Sequence, residues 1–203
     1  MAIRPFCGTQ RWYTKYEPVG RKPLFSWSFG ASKLGGEAYL GAWSRASGLP
    51  HAVCRLGNVY GPRQNPHGEA GVVAIFTHRL HTGRAPTLYG HGKPTRDYVY
   101  VADVVSALLA ASGKSGTYNI ATGVETDVLT VWEGLRAAAE RLGGSDAARD
   151  IEPLLADLRP GELRNSALDV SLAERELSWR PRVPIQKGLE LTYEALIAEF
   201  QRA

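Results

Sequence analysis

Strand-like and helix-like segments alternate along this sequence, and that alternation constrains the fold more than any other feature. A helical pattern over 32–47 precedes the strand-like run "HAVCRLGNVYGP", and a helical pattern in "AGVVAIFTHRLHTGR" follows it. Further along, "RDYVYVADVVSALLAAS" passes from strand to helix, and the short strand "GTYNIATG" leads to the helix "VLTVWEGLRAAAERLG". An amphipathic helix, "IQKGLELTYEALIAEFQ", closes the chain. Strands that alternate with helices predict an α/β fold with a parallel sheet.

Composition excludes several classes of protein. The chain has 203 residues, 44% hydrophobic and 22% charged, which is enough to bury one substantial core. It has no apolar run of about twenty residues and no secretory signal pattern, so we expect neither a membrane span nor export. The two cysteines, Cys7 and Cys54, are isolated and suggest neither a disulfide framework nor a metal site. Together these features predict a cytoplasmic protein.

The net charge of +4 raises the question of an anionic partner. The arginines are scattered rather than clustered in a stripe, and many alternate with acidic residues, as in "ERELSWRPR". That pattern argues against nucleic-acid binding. A small anionic ligand needs only two or three arginines, so this possibility stays open.

The first 28 residues differ from the rest, because they show no clear helical or strand period. A dinucleotide-binding fold usually has a Gly-rich turn between its first strand and helix, and no glycine before Phe29 has that spacing. We therefore expect an irregular segment over 1–28 and one domain over 29–203. Either the chain binds no dinucleotide, or it begins after the segment that would.

Five segments carry a family resemblance, in order: "FGASKLGGEAYL", "RLGNVYGPRQNPHGEAGVVAIF", "TLYGHGKPTRDYVYVADVVSALL", "YNIATGVETDV" and "LRPGELRNSALDVSLAERELSWRP". Together they resemble the extended short-chain dehydrogenase/reductase family, in particular its NAD-dependent nucleotide-sugar epimerases and dehydratases of the UDP-glucose 4-epimerase type. The resemblance implies a partial Rossmann-like parallel sheet, made of the carboxyl-terminal strands, together with the smaller substrate-binding part. The first 28 residues do not resemble the family, whose Gly-rich N-terminal half has no counterpart here. The resemblance further implies NAD as cofactor, a UDP-sugar as substrate and a homodimer through the Phe29–Ser47 helix.

Phe29 and Lys33 occupy the positions of the family's Tyr-x-x-x-Lys motif. In the family the Tyr exchanges a proton with the sugar, while the Lys binds the nicotinamide ribose and lowers the pKa of the Tyr. Lys33 therefore matches a catalytic and cofactor-binding position, but Phe29 carries no hydroxyl group. The family's upstream Ser/Thr partner also has no match in "MAIRPFCGT". The alternative for these two residues is a buried ring and a solvated amine at a helix start.

Asn58, Leu88 and Tyr89 match substrate-binding positions of the family. Asn58 follows a predicted strand, where the family has an Asn that binds the diphosphate region. Leu88 and Tyr89 belong to "TLYG", whose backbone groups face the nucleobase in the family. The alternatives are an Asn that only turns the chain and a plain edge strand. Gly57 departs from the family, which has a larger residue before the Asn, so we expect open space there.

Arg96 and Arg159 match two family arginines that clamp the diphosphate. A planar guanidinium can hold phosphate oxygens with two hydrogen bonds, which suits this role. Glu162 matches an acidic position that orients the second arginine or contacts the ribose. A surface ion pair is the plain alternative for each arginine. For Asp97, beside Arg96, we expect a structural role.

Three hypotheses about function follow. By resemblance, the chain is an NAD-dependent nucleotide-sugar epimerase, and we expect it to be inactive as an isolated chain. The second hypothesis is a non-catalytic module that binds nucleotide sugars. The third is a degenerate fragment without a function of its own.

Overall fold

A computed structural model of the chain describes residues 28–67, 71–142, 151–159 and 162–202. The helices are α1 (Ser28–Ser47), α2 (Val72–His81), α3 (Val101–Ala111), α4 (Val128–Arg141), α5 (Ser171–Leu177) and α6 (Ile185–Phe200). The strands are β1 (Ala52–Leu56), β2 (Asn58–Tyr60), β3 (Thr87–Tyr89), β4 (Thr95–Arg96), β5 (Tyr98–Tyr100), β6 (Gly116–Ile120), β7 (Thr126–Asp127) and β8 (Leu154–Ala156). The expected irregular segment, 1–28, lies outside the described residues except for its last residue.

Parallel pairing dominates the described strands, which confirms the predicted α/β class. β1 pairs with β6, β2 with β5 and β3 with β8, each pair parallel, whereas β4 and β7 are antiparallel. Helix α3 runs directly from β5 and leads to β6, as in a strand–helix–strand unit.

The strand predicted in "HAVCRLGNVYGP" is divided at Gly57, where the chain changes partners. The Gly57 amide donates to the carbonyl of Ile120 at 2.9 Å, and the Asn58 amide donates to the carbonyl of Asp97 at 2.6 Å. A Cβ on Gly57 would lie 2.7 Å from that Asp97 oxygen and 3.0 Å from the Cβ of Ala121. The expectation of open space at Gly57 is therefore wrong, since the backbone packs too closely there for a side chain.

Two clusters of buried side chains form the core. The larger cluster lies where α2, α4 and α6 pack together, and Phe76 meets Trp132 edge-to-face within it at 5.7 Å between ring centroids. The smaller cluster surrounds β6, with Tyr118 and Ile120 packed against α3 and α5. No helix among the described residues is long and apolar enough to cross a membrane.

Candidate functional site

A cleft of about 550 Å³ runs between α2 and strands β3 and β4, and we call it the α2 cleft. Five of the predicted site residues line it: Asn58, Tyr89, Arg96, Arg159 and Glu162. These residues come from four separate stretches of sequence, so the fold brings together what the sequence pattern only suggested. Lys33 and Leu88 do not line the cleft.

Helix α2 supplies one wall of the cleft. Four residues of this helix line the cleft: Val72, Ile75, Phe76 and Arg79. The last three follow Val72 by three, four and seven residues, so all four share one helical face. The helix starts after Gly71, whose φ of 106° favours glycine. A Cβ at Gly71 would lie 2.6 Å from the Gln64 side chain, so a larger residue would disturb this end of the wall.

Arg96 is held in place by three hydrogen bonds. Its Nη1 donates to the carbonyls of Thr95 at 2.8 Å and Leu163 at 2.9 Å, and its Nη2 donates to Oε1 of Glu162 at 3.2 Å. The Arg96 and Glu162 side chains are 17% and 32% exposed, so solvent screens this ion pair only in part. The other oxygen of Glu162, Oε2, is shielded from solvent and accepts no hydrogen bond from the described residues.

The stretch 162–168 is fastened alongside β4, and this explains how Glu162 reaches Arg96. The Thr95 amide donates to the carbonyl of Arg164 at 2.8 Å. The Asn165 side chain donates to Oγ1 of Thr95 at 3.0 Å and to Oε2 of Glu125 at 3.1 Å. These contacts set the register between β4 and the stretch that carries Glu162.

Asp97 anchors the same stretch from inside the protein. Its carboxylate is buried and accepts four hydrogen bonds. Oδ1 accepts from the amide and hydroxyl of Thr122 at 2.8 and 2.6 Å, and Oδ2 accepts from the amides of Gly123 at 2.9 Å and Leu168 at 3.1 Å. The expected structural role of Asp97 is thus confirmed.

Arg159 lies over the ring of Tyr89, with its guanidinium carbon 3.9 Å from the ring centroid. A cation at this distance from an aromatic face is attracted by the ring's negative face. A hydrogen bond with the Tyr89 side chain is the main factor that raises the pKa of Arg159, which favours its charged form. The cleft therefore holds a second cation next to an aromatic ring.

Tyr98 is a buried phenol that lines the cleft. Desolvation raises the pKa of Tyr98 to about 12, with Asp127 adding to the shift and Arg96 opposing it. Desolvation also raises the pKa of Tyr60, in the neighbouring core. At neutral pH these phenols are hydrogen-bond donors and not general bases.

Leu88 lies in the core, where its side chain is fully buried, while its neighbours Thr87 and Tyr89 face the cleft. This alternation is the ordinary period of a strand. Any contact between Leu88 and a ligand is therefore limited to its backbone.

Helix α1 carries Lys33, which is exposed to solvent. Glu37, one turn further on, accepts two hydrogen bonds from Arg55 of β1 at 2.9 and 2.6 Å, and these fix the helix to the strand. The side chain of Phe29 lies outside the described residues.

The described residues fit NAD only in part. Lys33 offers a donor for a ribose hydroxyl, but these residues contain no Gly-rich turn from a parallel strand into a helix that would hold the pyrophosphate. We therefore derive no hydride-transfer step from this structure.

Arg79 is a cleft residue that the sequence patterns missed. A cation in the last turn of a helix is common, because it complements the helix dipole. The spacing of Arg79 from Val72 and Ile75 places it on the same face of α2. This spacing indicates a site only when that helical face is known to line a cleft.

Comparison with known sequences defines the class of protein. The chain matches the NAD dependent epimerase/dehydratase family over residues 5–121 and belongs to this family. The matched range includes most of the segment that we expected to be unlike the family, and the boundary at residue 28 stays a prediction.

Several proteins similar to this chain are UDP-glucose 4-epimerases. The enzyme of Mycolicibacterium smegmatis is 41% identical over 169 residues, which cover 82% of this chain and 51% of the relative. The structure of the Thermotoga maritima enzyme with UDP-glucose has a TM-score of 0.76 and 41% identity, covering 84% of this chain and 53% of that one. The Thermus thermophilus enzyme in complex with NAD has a TM-score of 0.72 and 36% identity, covering 89% and 59%. The chain thus spans about half the length of the curated relatives that it matches.

Proposed function

We propose that this chain supplies the substrate-binding site of a cytoplasmic, NAD-dependent nucleotide-sugar 4-epimerase, with a UDP-sugar as ligand. The observation that carries the proposal is the meeting of Arg96, Arg159, Asn58 and Glu162 in one cleft. Family membership and the similarity to a UDP-glucose 4-epimerase solved with UDP-glucose support the choice of ligand.

The two predicted clamp arginines have different tasks in this proposal. Arg96 is rigid, because two carbonyls and Glu162 hold it, so it presents a fixed donor to one phosphate. Arg159 is exposed and stacked on Tyr89, and we assign it to the second phosphate. Asn58 offers amide donors at the start of β2, and the carboxylate of Glu162, which also lines the cleft, is the acceptor that we assign to a ribose hydroxyl.

A second candidate function is a non-catalytic nucleotide-sugar binding module, and Phe29 is the residue that favours it. The family's proton carrier is a phenol, whereas a phenyl ring can neither donate nor accept a proton. Desolvation raises the pKa of Tyr98, the buried phenol of the cleft, to about 12, so this phenol stays protonated at neutral pH. Binding and turnover are therefore separate questions for this chain.

Calorimetric titration of UDP-glucose into the native chain and two variants tests the proposal. Arg96→Ala and Arg159→Ala should each weaken binding by on the order of 1.5 to 3 kcal/mol, since each removes a charge-assisted hydrogen bond. Arg164→Ala is the matched control, because Arg164 is exposed and does not line the α2 cleft. Equal binding by all four proteins, or no binding by a folded native chain, would refute the proposal.

We further propose that α1 mediates a homodimer. The helix exposes Tyr39 (81%), Leu40 (44%) and Trp43 (51%), which share one helical face. Exposed apolar area of this kind is typical of interfaces. Trp43→Glu should shift sedimentation from dimer to monomer, and Leu109→Glu, on an exposed site of α3, should not. A native chain that sediments as a monomer would contradict this.

A further inference from the structure

Five basic residues gather at the carboxyl end of α2, and we call them the basic cluster: His67, His78, Arg79, His81 and Arg84. His78, Arg79 and His81 belong to the last turn of the helix. The chain then turns at Gly83, whose φ is 64°, and the Arg84 amide donates to the carbonyl of Arg79 at 2.9 Å. This turn holds Arg84 against the end of the helix.

His67 joins the basic cluster from the loop before α2. Its ring centroid lies 5.0 Å from that of His78, with the two ring planes at 74°. Phe200 of α6 packs on the same helix end, with its ring centroid 5.4 Å from that of His78 and 5.5 Å from that of His81. The ring of His78 is thus held by contacts with a loop and a second helix, whereas the other four members of the cluster are exposed.

The described part of the chain does not balance the charge of the basic cluster. The described groups that act electrostatically on His78 are the other four members, and all of them are basic. No ion pair among the described residues includes a member of the cluster. The helix dipole supplies only about half a negative charge at the end of α2. Two permanent guanidinium charges therefore lie beside three imidazoles that can each take up a proton.

An anion fits the basic cluster better than a metal ion does. Guanidinium and imidazolium groups donate charge-assisted hydrogen bonds to the oxygens of a phosphate or sulfate group. Two histidines in contact could also bind a metal, but the charges of Arg79 and Arg84 oppose a cation there. The described residues contain no group of three or more metal-ligating side chains that could hold a metal ion.

We propose that the basic cluster binds a small soluble oxyanion with two negative charges, of the phosphate or sulfate type, and that His78 takes up a proton when the anion binds. In the free protein, desolvation and the neighbouring basic groups lower the pKa of His78. A bound dianion offsets the positive charge of those neighbours and so raises that pKa again. Proton uptake on binding means that the anion binds more tightly as the pH falls. Of the cluster, only Arg79 also lines the α2 cleft, so the two sites are separate.

Proton NMR titration of the histidine rings in sodium sulfate and in sodium chloride, at equal ionic strength, tests this proposal. Sulfate keeps both of its charges over the pH range in which histidine titrates, so any proton taken up is bound by the protein. The pKa of His78 should be higher in sulfate than in chloride. The rings of His51 and His91, which do not act on His78, should respond alike to the two salts. Arg84→Ala should weaken sulfate binding about tenfold, and Arg164→Ala, at an exposed arginine outside the cluster, should not.

Each of the other outcomes refutes the proposal. An identical titration of His78 in the two salts would show that no anion binds there, and an equal response of the two control histidines would show a general salt effect. A sulfate effect that Arg84→Ala leaves unchanged would exclude the cluster as the site. The Arg96→Ala/Arg159→Ala variant should keep the effect, and its loss there would place the anion in the α2 cleft. Phosphatidylglycerol vesicles should not retain the native chain, and retention that sulfate does not reverse would indicate a membrane surface as the ligand.

Discussion

The Arg96 guanidinium lies 3.2 Å from the Glu162 carboxylate, and this ion pair joins β4 to a stretch of chain 66 residues further on. Because two carbonyls also hold Arg96, the cation keeps one orientation toward the α2 cleft. The arrangement depends on the hydrogen bonds that fasten 162–168 beside β4, and so on the buried carboxylate of Asp97. The site can therefore be tested through its supports as well as through its ligand contacts.

Asp97→Asn should lower the free energy of unfolding by about 2 to 3 kcal/mol, as measured by urea titration. The Asp97 carboxylate accepts four hydrogen bonds, and an amide would turn an NH₂ group toward donors. Asp127→Asn is the control, because Asp127 caps α4 by accepting from the Thr130 amide and Asn is an equally good capping residue. Equal stability of the two variants would contradict the anchoring role.

Glu37→Ala should lower the free energy of unfolding by about 3 kcal/mol, because it removes a carboxylate that pairs with the largely buried guanidinium of Arg55. The side chains of this pair are only 12% and 16% exposed. The matched control is Glu174→Ala, which breaks a pair with Arg180 whose side chains are 34% and 75% exposed and should cost less than about 1 kcal/mol. Similar losses of unfolding free energy in both variants would show that burial does not determine how much an ion pair stabilises the protein.

His78→Gln should reduce the loss of stability on acidification. Desolvation lowers the pKa of His78 in the folded state, and the charges of His67, His81, Arg79 and Arg84 lower it further. Above the unfolded pKa of about 6.5 both states are neutral and His78 has no effect. As the pH falls below that value and through the folded pKa, the unfolded state binds the proton more tightly and stability is lost.

Urea midpoints of the native chain and His78→Gln at several pH values between 7 and 4 would measure this effect. Toward low pH, the urea midpoint of the native chain should fall more than the midpoint of His78→Gln. Two curves that stay parallel over the whole range would refute the assigned pKa direction.

The native chain should show no detectable 4-epimerase turnover of UDP-galactose with added NAD, because the proposed match to the family's Tyr-x-x-x-Lys motif puts Phe29 where the proton-carrying phenol would be. General acid–base catalysis is typically worth about 10² to 10⁴ in rate. Product formation can be followed by chromatography of UDP-glucose, with the Phe29→Tyr variant assayed in parallel. Turnover by the native chain above a protein-free blank would show that position 29 does not need to carry the proton.

Much of the fold could be predicted from the sequence because its periodicity is local. The helices α1, α2, α3, α4 and α6 lie where the apolar spacing placed them. The division of the strand at Gly57 could not be predicted, since it depends on partners at Asp97 and Ile120 that are far away in sequence. Strands of two or three residues, such as β4 and β7, carry too few side chains to show a period.

The candidate site was predictable only where the family motif named a residue. Arg96 and Arg159 lie in one cleft, as expected of two clamp arginines, and no single-residue property distinguishes them from surface arginines. The alternation in "TLY" could have placed Leu88 in the core and Tyr89 in the cleft. Arg79 was not predicted, because a cation in the last turn of a helix complements the helix dipole and does not by itself indicate a ligand.

The most direct test of the account compares UDP with UMP by calorimetry, in the native chain and in the Arg96→Ala/Arg159→Ala double variant. The two arginines are assigned to the two phosphates, so the native chain should bind UDP more tightly than UMP by on the order of 1.5 to 3 kcal/mol. The double variant should bind both ligands weakly and with little preference. A native chain that binds UMP as tightly as UDP, or a double variant that keeps the native preference, would contradict the diphosphate clamp.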